Sequence, residues 1–208
     1  MMYFLAMRLA WLALHIWYDL RVEGRKHIRR DQKYIFVSNH RTNLDPVLIA
    51  ITGYGKFRFM AKKELFEGNK AFAALIRWLG AFPVDRGAGD MSVIDTSVQA
   101  IADGKNLLIF PEGTRSKDGH VGRGKSGVAL VAARAHADII PIGINFQDEK
   151  LHFRSKIIVR VGEPIPASSL PKTENLSERE LLKTLRTEIM PPIMNGIKAL
   201  VDEPKQES

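Results

Sequence analysis

A histidine and an aspartate five residues apart are the side chains of this sequence best suited to chemistry. His40 and Asp45 follow an apolar run at residues 34–37. An imidazole can accept a proton from an alcohol near neutral pH, and a carboxylate on its other ring nitrogen fixes the tautomer and stabilises the imidazolium. Asp45 has a second interpretation, since Asp followed by Pro46 is typical of a helix N-cap. The spacing alone leaves both roles open, as well as a solvated loop histidine.

A second loop carries groups suited to an anionic ligand. Residues 110–116 (Phe-Pro-Glu-Gly-Thr-Arg-Ser) end an apolar run and supply the cation of Arg115 and the hydroxyl of Thr114. Gly113 lets the backbone approach a ligand closely. The simpler interpretation is a turn in which Glu112 and Arg115 form an exposed ion pair.

A further cation, Arg86, follows another apolar run, in Val84-Asp85-Arg86-Gly87. Its simplest interpretation is an ion pair with its neighbour Asp85. Ligands of α/β sheets bind outside the carboxyl ends of strands. Two loops with an arginine near a glycine, each after a predicted strand, could therefore hold one phosphate from two sides.

Residues 119–126 (Gly-His-Val-Gly-Arg-Gly-Lys-Ser) satisfy the G-x4-G-K-S pattern of P-loop nucleotide-binding proteins. A P-loop follows directly after a buried strand, whereas the nearest predicted strand here ends at Phe110. No later apolar run ends in an aspartate that could hold magnesium. A nucleotide-binding protein is therefore a minor alternative, and a basic glycine-rich loop that starts a helix near Gly124 is the simpler interpretation.

Composition restricts partners and chemistry. The 208 residues include 31 Lys and Arg against 23 Asp and Glu, a net charge of +8, which favours nucleic acid, an anionic membrane surface or phosphorylated substrates. Cysteine is absent, which excludes disulfides, thiolate zinc sites and cysteine nucleophiles. The histidines form no close pair and no H-E-x-x-H motif, and no G-x-S-x-G elbow occurs. We therefore expect no metal site and no serine-hydrolase chemistry.

The first twenty residues favour the membrane among these partners. They are mostly apolar, and Arg8 limits the stretch without charged residues to 9–18, which is short beside the roughly 20 residues of a membrane span. A basic cluster follows, and it lacks the interleaved aromatics of nucleic-acid sites: Arg21, Arg25, Lys26, Arg29, Arg30 and Lys33. This order predicts an amphipathic helix on an anionic membrane surface. The alternative is a helix packed on the domain's own core, and a secretory signal fits less well.

Apolar runs alternate with helical patterns, which indicates an α/β domain with a mixed central sheet flanked by helices. The predicted strands are 34–38, 57–60, 80–84, 106–110, 139–145 and 156–162, and the predicted helices are about 46–52, 64–79, 90–103 and 124–137. We divide the chain into a membrane-associating segment (1–30), an α/β domain (31–170) and a C-terminal helical tail (171–208).

The tail begins after an extended linker at residues 163–166. Ser177 and Glu180 form a capping-box pattern that opens a helix. Pro191-Pro192 should end or kink this helix, and a short helix at about 193–202 should follow.

Four segments resemble, in order, the motif blocks of the glycerolipid acyltransferases. Asn39-His40 with Asp45 is similar to the N-H-x4-D motif, and residues 110–116 resemble the third block in full. Residues 80–86 resemble the second block, residues 140–142 the fourth, and residues 61–65 the basic segment between the first two. The resemblance covers about residues 33–145 and is greatest to the 1-acylglycerol-3-phosphate (lysophosphatidate) acyltransferases.

The resemblance implies transfer of a fatty acyl group from acyl-CoA or acyl-carrier protein to the free hydroxyl of lysophosphatidic acid, giving phosphatidic acid without a cofactor. It implies that His40 is the general base and that Asp45 orients it. The implied acceptor contacts are Arg86, Glu112, Gly113, Thr114, Arg115 and Lys125. We expect the protein at the cytoplasmic face of a membrane.

The sequence departs from the family at Thr42-Asn43-Leu44, where a serine and a bulky aromatic residue are more usual. Another lysolipid acceptor therefore stays an alternative, as does a lipid-binding protein without catalysis.

Overall fold

The computed structural model describes residues 1–84, 91–116, 118–148 and 150–202. Its strands are β1 (Asp19–Glu23), β2 (Ile35–Ser38), β3 (Phe57–Lys62), β4 (Ala81–Val84), β5 (Asn106–Ile109), β6 (Ile139–Phe146) and β7 (Lys156–Val161). Its α-helices are α1 (Met2–Trp17), α2 (Asp45–Thr52), α3 (Glu64–Glu67), α4 (Lys70–Trp78), α5 (Met91–Ala102), α6 (Ser126–Ala135), α7 (Glu178–Thr184) and α8 (Met190–Lys198).

The strands of this described part form one seven-stranded sheet in the order β1-β7-β6-β2-β5-β3-β4. The five strands from β6 to β4 are parallel, whereas β7 runs antiparallel to β6, and β1 pairs in parallel with β7. The predicted mixed sheet is thus confirmed. Since parallel strands end at one edge of a sheet, the loops that follow β2 and β5 emerge side by side there.

The central strands are buried on both faces. Ile35 and Val37 of β2 join a core formed with α5, α6 and α8, while Phe36 points to a second core formed with α1 and α2. β5 divides its residues in the same way, as its continuous apolar run predicted. The rigid centre of the sheet therefore carries the loops that hold the predicted site.

The first strand was not among the predicted strands. β1 lies within residues 1–30, so the sheet begins before residue 31, where we placed the start of the α/β domain. The signal is the alternation of Leu20 and Val22 with charged residues, and Leu20 is buried. The basic residues around it had favoured a membrane-surface segment instead.

The helix predicted at 64–79 is two helices. α3 ends before Gly68, and Asn69 begins α4 because its side-chain oxygen accepts hydrogen bonds from the backbone N–H groups of Ala71 and Phe72. An asparagine cap of this kind is a strong start signal. Helical spacing of the apolar residues had concealed it.

The tail contributes to the core through its second half. Ser177 and Glu180 form the predicted capping box, but Pro191-Pro192 do not end the helix. A π-helical stretch, Leu185–Ile189, links α7 directly to α8, in whose first turn the prolines stand. The helix thus continues past the prolines, and its wider π-helical turn directly precedes the two missing N–H groups. Ile189, Ile193 and Ile197 are fully buried.

Candidate active site

The His40 and Asp45 side chains meet in the loop after β2. His40 Nδ1 lies 2.7 Å from Asp45 Oδ2. The same carboxylate accepts hydrogen bonds from the backbone N–H groups of Arg41 (2.6 Å) and Thr42 (2.9 Å) and from the Thr42 hydroxyl (2.7 Å). The Asp45 side chain is fully buried, and these four partners compensate its lost hydration.

This arrangement decides between the two interpretations of Asp45. Helix α2 begins at Asp45 itself, Leu44 is the N-cap residue, and no side chain caps the helix. The N-cap interpretation of Asp45 is therefore wrong. The carboxylate points back to the loop at residues 40–42.

The surroundings of Asp45 also fix the tautomer of His40. Because the other partners of the Asp45 oxygens are all donors, the carboxylate is an acceptor and His40 Nδ1 carries the proton. Nε2 of the neutral ring then keeps its lone pair. The His40 ring stacks on Phe110 with 4.0 Å between centroids and 18° between planes, and 12% of the side chain is exposed. A base held in this way can accept a proton from a substrate hydroxyl.

Further bonds attach the His40 loop to the sheet. The Asn39 side chain bonds to both backbone groups of Ile144 in β6, at 2.8 and 2.9 Å. The Ser116 N–H donates to the His40 carbonyl at 2.7 Å. The loops after β2 and β5 are therefore joined to each other and to a buried strand.

The Glu112 side chain joins these loops through two hydrogen bonds. Its Oε1 accepts a hydrogen bond from the His40 N–H (3.2 Å), and its Oε2 accepts one from the Gly122 N–H (3.0 Å). Glu112 is 8% exposed. The exposed ion pair with Arg115 is therefore wrong, since both carboxylate oxygens hold backbone amides.

Gly113 and Lys125 lie against each other. Gly113 has a φ of 68°, and a Cβ atom there would lie 2.8 Å from Lys125 Nζ. The Lys125 N–H also donates to the Pro111 carbonyl at 2.9 Å. A positive φ is costly for residues other than glycine, so the backbone shape and the close amine both explain glycine at this position.

Three further predicted contacts are Thr114, Arg115 and Arg86. Thr114 and Arg115 are exposed on the same loop, and among the described residues the Arg115 guanidinium has no assigned ion pair or hydrogen bond. Arg86 lies outside the described residues. The structure thus brings together His40, Asp45 and Glu112, and separately Gly113 and Lys125.

The P-loop-like segment does not follow a strand directly. β5 ends at Ile109, ten residues before Gly119. The Gly122 N–H is bonded to Glu112, and the Lys125 side chain packs on Gly113 rather than over its own loop.

Within the described ranges, no group of three or more metal-ligating side chains occurs.

Thr42, Phe110 and Glu112 have positions in the site that the sequence did not reveal. Thr42 appeared only as a departure from the family pattern, yet its hydroxyl donates to Asp45. Its spacing of three residues from Asp45 is a local signal that could have found this bond. Glu112 and His40 are 72 residues apart, and no local pattern joins them.

The sequence also matches a known protein family. The sequence profile of the family described as Acyltransferase matches residues 19–145. This match covers more than half of the chain, so the chain belongs to the acyltransferase family.

Individual relatives carry a narrower name. The chain is 34% identical to the 1-acyl-sn-glycerol-3-phosphate acyltransferase of Streptococcus pneumoniae, covering 76% of this chain and 60% of that protein. It is 28% identical to the Bacillus subtilis protein of the same name, covering 76% and 81%. It is 32% identical to the human alpha enzyme, covering 79% and 62%. The chain thus spans about three fifths of the Streptococcus and human proteins.

A solved structure shows the same fold. The crystal structure of the 1-acyl-sn-glycerophosphate (LPA) acyltransferase PlsC from Thermotoga maritima superposes with a TM-score of 0.64, covering 91% of this chain and 77% of that one at 22% identity. At this identity the likeness shows the architecture alone.

Proposed function

We propose that this protein transfers a fatty acyl group from a thioester donor to the free hydroxyl of lysophosphatidic acid. The observation that carries the proposal is the His40–Asp45 pair, 2.7 Å apart, next to a loop with an exposed arginine. Membership of the acyltransferase family and the names of its relatives support the same reaction.

In the proposed reaction His40 Nε2 accepts the proton of the acceptor hydroxyl. The hydroxyl oxygen then attacks the thioester carbonyl, a carbon–oxygen bond forms and the carbon–sulfur bond breaks. The imidazolium returns its proton to the leaving thiolate, so no cofactor is needed. Asp45 stabilises the imidazolium, and such a base contributes about 10²- to 10⁴-fold in rate.

The acceptor phosphate would lie at the loop after β5. Arg115 offers a guanidinium suited to phosphate, and the Lys125 amine lies beside Gly113 on the same loop. Thr114 adds a hydroxyl, and Arg86 is proposed as a cation from the second motif block. We assign Glu112 a positioning role, because its two oxygens hold the backbone amides of His40 and Gly122.

We further propose that the protein lies on the cytoplasmic surface of an anionic membrane. α1 packs on the core through Tyr3, Met7, Ala10 and Leu14. It nevertheless exposes a second set of large apolar side chains: Phe4, Leu5, Leu9, Trp11, Leu12, Ile16 and Trp17. α4 continues this surface, since the Tyr3 and Trp78 ring centroids lie 6.0 Å apart. A contiguous exposed apolar surface is typical of a membrane or protein contact.

No helix in the described ranges combines the length and hydropathy that a membrane span needs.

The proposed reaction is tested by acyl transfer in phospholipid vesicles, with acyl-CoA and acyl-carrier protein as donors. Lysophosphatidic acid and lysophosphatidylglycerol serve as acceptors. We expect turnover of lysophosphatidic acid, lost in His40→Ala. His152→Ala is the matched control, because His152 pairs with Asp148 at 3.4 Å on the surface, and it should retain full activity.

Two results would contradict the proposal. One is turnover that persists in His40→Ala. The other is the absence of turnover with either donor in protein whose circular dichroism shows it folded. Preference for lysophosphatidylglycerol would instead identify a different acceptor.

A further inference from the structure

A groove of about 740 Å³ opens beside the candidate active site. One wall is the glycine-rich segment at residues 121–126, and the other is the stretch from Arg186 to Lys198. The motifs that define the proposed reaction do not include the second wall.

The rim of the groove is cationic. Arg123, Arg186 and Lys198 line it, and no Asp or Glu does. In the part of the chain that the structure describes, none of the three has an assigned ion-pair partner. Cations gathered around a concave surface without counterions attract a polyanion, and arginine suits phosphate in particular.

The floor of the groove is apolar. Met190 and Met194 line it together with Pro191 and Val121. Gly124 lies so close that a Cβ atom there would be 2.7 Å from the sulfur of each methionine. Methionine adapts its shape to elongated, irregular ligands. Ser126 and the glycine-rich segment add polar groups to the lining, so the groove as a whole suits a flexible ligand with an amphipathic length and an anionic end.

The groove and the candidate base share one carboxylate. Glu112 Oε1 accepts from the His40 N–H, and Oε2 accepts from the N–H of Gly122, which lines the groove. The Glu112 side chain therefore links the wall of the groove to the His40 loop. A ligand lying in the groove would have one end close to that loop.

We propose that this groove binds the 4′-phosphopantetheine arm of the thioester donor, with its phosphate against Arg123, Arg186 and Lys198. The inference rests on the proposed acyl transfer, whose donors, acyl-CoA and acyl-carrier protein, both carry this arm. The apolar floor packs against the methyl and methylene groups of the pantetheine chain, its amides face Ser126 and the glycine-rich segment, and the thioester end reaches toward His40. The glycine-rich segment resembles a P-loop in sequence. In this proposal it also faces a phosphate, but in a geometry that differs from that of a P-loop.

Charge reversal at the rim tests the proposal. Arg186→Glu and Lys198→Glu change exposed side chains, so the melting temperature should not move. Losing a charge-assisted contact should raise the donor KM about tenfold or more, with the acceptor KM unchanged. Arg186→Lys should restore most of the affinity. Lys56→Glu is the matched control, because Lys56 is exposed and precedes β3, at the opposite edge of the sheet.

The two donors serve as separate arms of the experiment. A rise in donor KM with both supports recognition of the shared arm, and a rise with only one supports the groove and identifies that donor as its source. An unchanged KM for both donors would overturn the proposal. So would a rise in acceptor KM, or a loss of vesicle binding, without an effect on the donor.

Calorimetric binding of free CoA and of holo-acyl-carrier protein separates this inference from the proposed reaction. Binding that Arg186→Glu abolishes supports the groove even if lysophosphatidic acid is not turned over. Turnover of lysophosphatidic acid with donor binding unaffected by Arg186→Glu leaves the reaction standing and overturns the groove.

Discussion

Asp45 Oδ2 lies 2.7 Å from His40 Nδ1 while accepting two backbone N–H groups of the same loop. The carboxylate therefore orients the imidazole and also fixes the backbone that carries it. Loss of its charge should affect both catalysis and folding, because the two roles share one oxygen.

Asp45→Asn should lower kcat by about a hundredfold or more, the range expected when a general base loses its orienting partner. The asparagine NH₂ group would replace one carboxylate oxygen and face hydrogen-bond donors there. The free energy of unfolding should therefore also fall by about 1–3 kcal/mol. Steady-state kinetics and urea denaturation measure the two effects.

The control for this change is Asp95→Asn. Asp95 forms an exposed ion pair with Arg134 at 2.9 Å, and surface pairs contribute little to stability. Both kinetics and stability should stay near wild type there. A kcat in Asp45→Asn equal to that of this control would rule out the orienting role.

The Thr42 hydroxyl donates to Asp45 Oδ1 at 2.7 Å and accepts from the Leu44 N–H at 3.1 Å. Thr42→Val keeps the shape but removes both bonds, and we expect kcat to fall about tenfold as the carboxylate loses a partner. Thr42→Ser keeps the hydroxyl and should retain most of the activity. Equal activity in the two variants would show that the hydroxyl is not needed.

Local spacing explains which parts of the site the sequence could predict. His40 and Asp45 share one loop, so their separation in the chain allowed a contact, and the resemblance to the acyltransferase motif favoured that contact over the alternatives. The two amides that Glu112 holds belong to His40 and Gly122, on separate segments, and only the assembled sheet brings them together. For that reason the sequence suggested an ion pair with the nearby Arg115 instead.

The same distinction applies to the fold. β2 and β5 were predictable because continuous apolar runs mark strands buried on both faces. β1 carries a regular alternation around Leu20 and Val22, but the basic residues nearby supported a competing interpretation. Its pairing with β7 joins residues far apart in the chain, and no local pattern carries that information.

Glu112→Gln should destabilise the protein by about 1–3 kcal/mol, because the glutamine NH₂ would replace an acceptor beside a part-buried backbone N–H. The kcat should fall as well, since the His40 loop loses one of its attachments. Urea denaturation and kinetics at saturating substrates measure the two quantities. Stability equal to wild type would show that the replaced carboxylate oxygen contributes nothing to folding.

Arg115→Ala should raise the KM for lysophosphatidic acid by about tenfold or more, the scale of a lost charge-assisted hydrogen bond. The donor KM should not change, because Arg115 lies on the loop proposed for the acceptor phosphate. Arg179→Ala on α7, also exposed, is the control. An effect confined to the donor KM would contradict the assignment of Arg115.

Leu9→Glu should reduce binding to vesicles of anionic phospholipid by about tenfold or more, because burial of one leucine contributes about 1.5–3 kcal/mol. Leu9 is 59% exposed on the outer side of α1, so the melting temperature should stay at the wild-type value. Leu182→Glu is the matched control, as Leu182 is 41% exposed on α7, away from the α1 surface. Vesicle flotation compares the three proteins. Equal losses in both variants, or no loss in Leu9→Glu, would show that α1 does not carry the membrane contact.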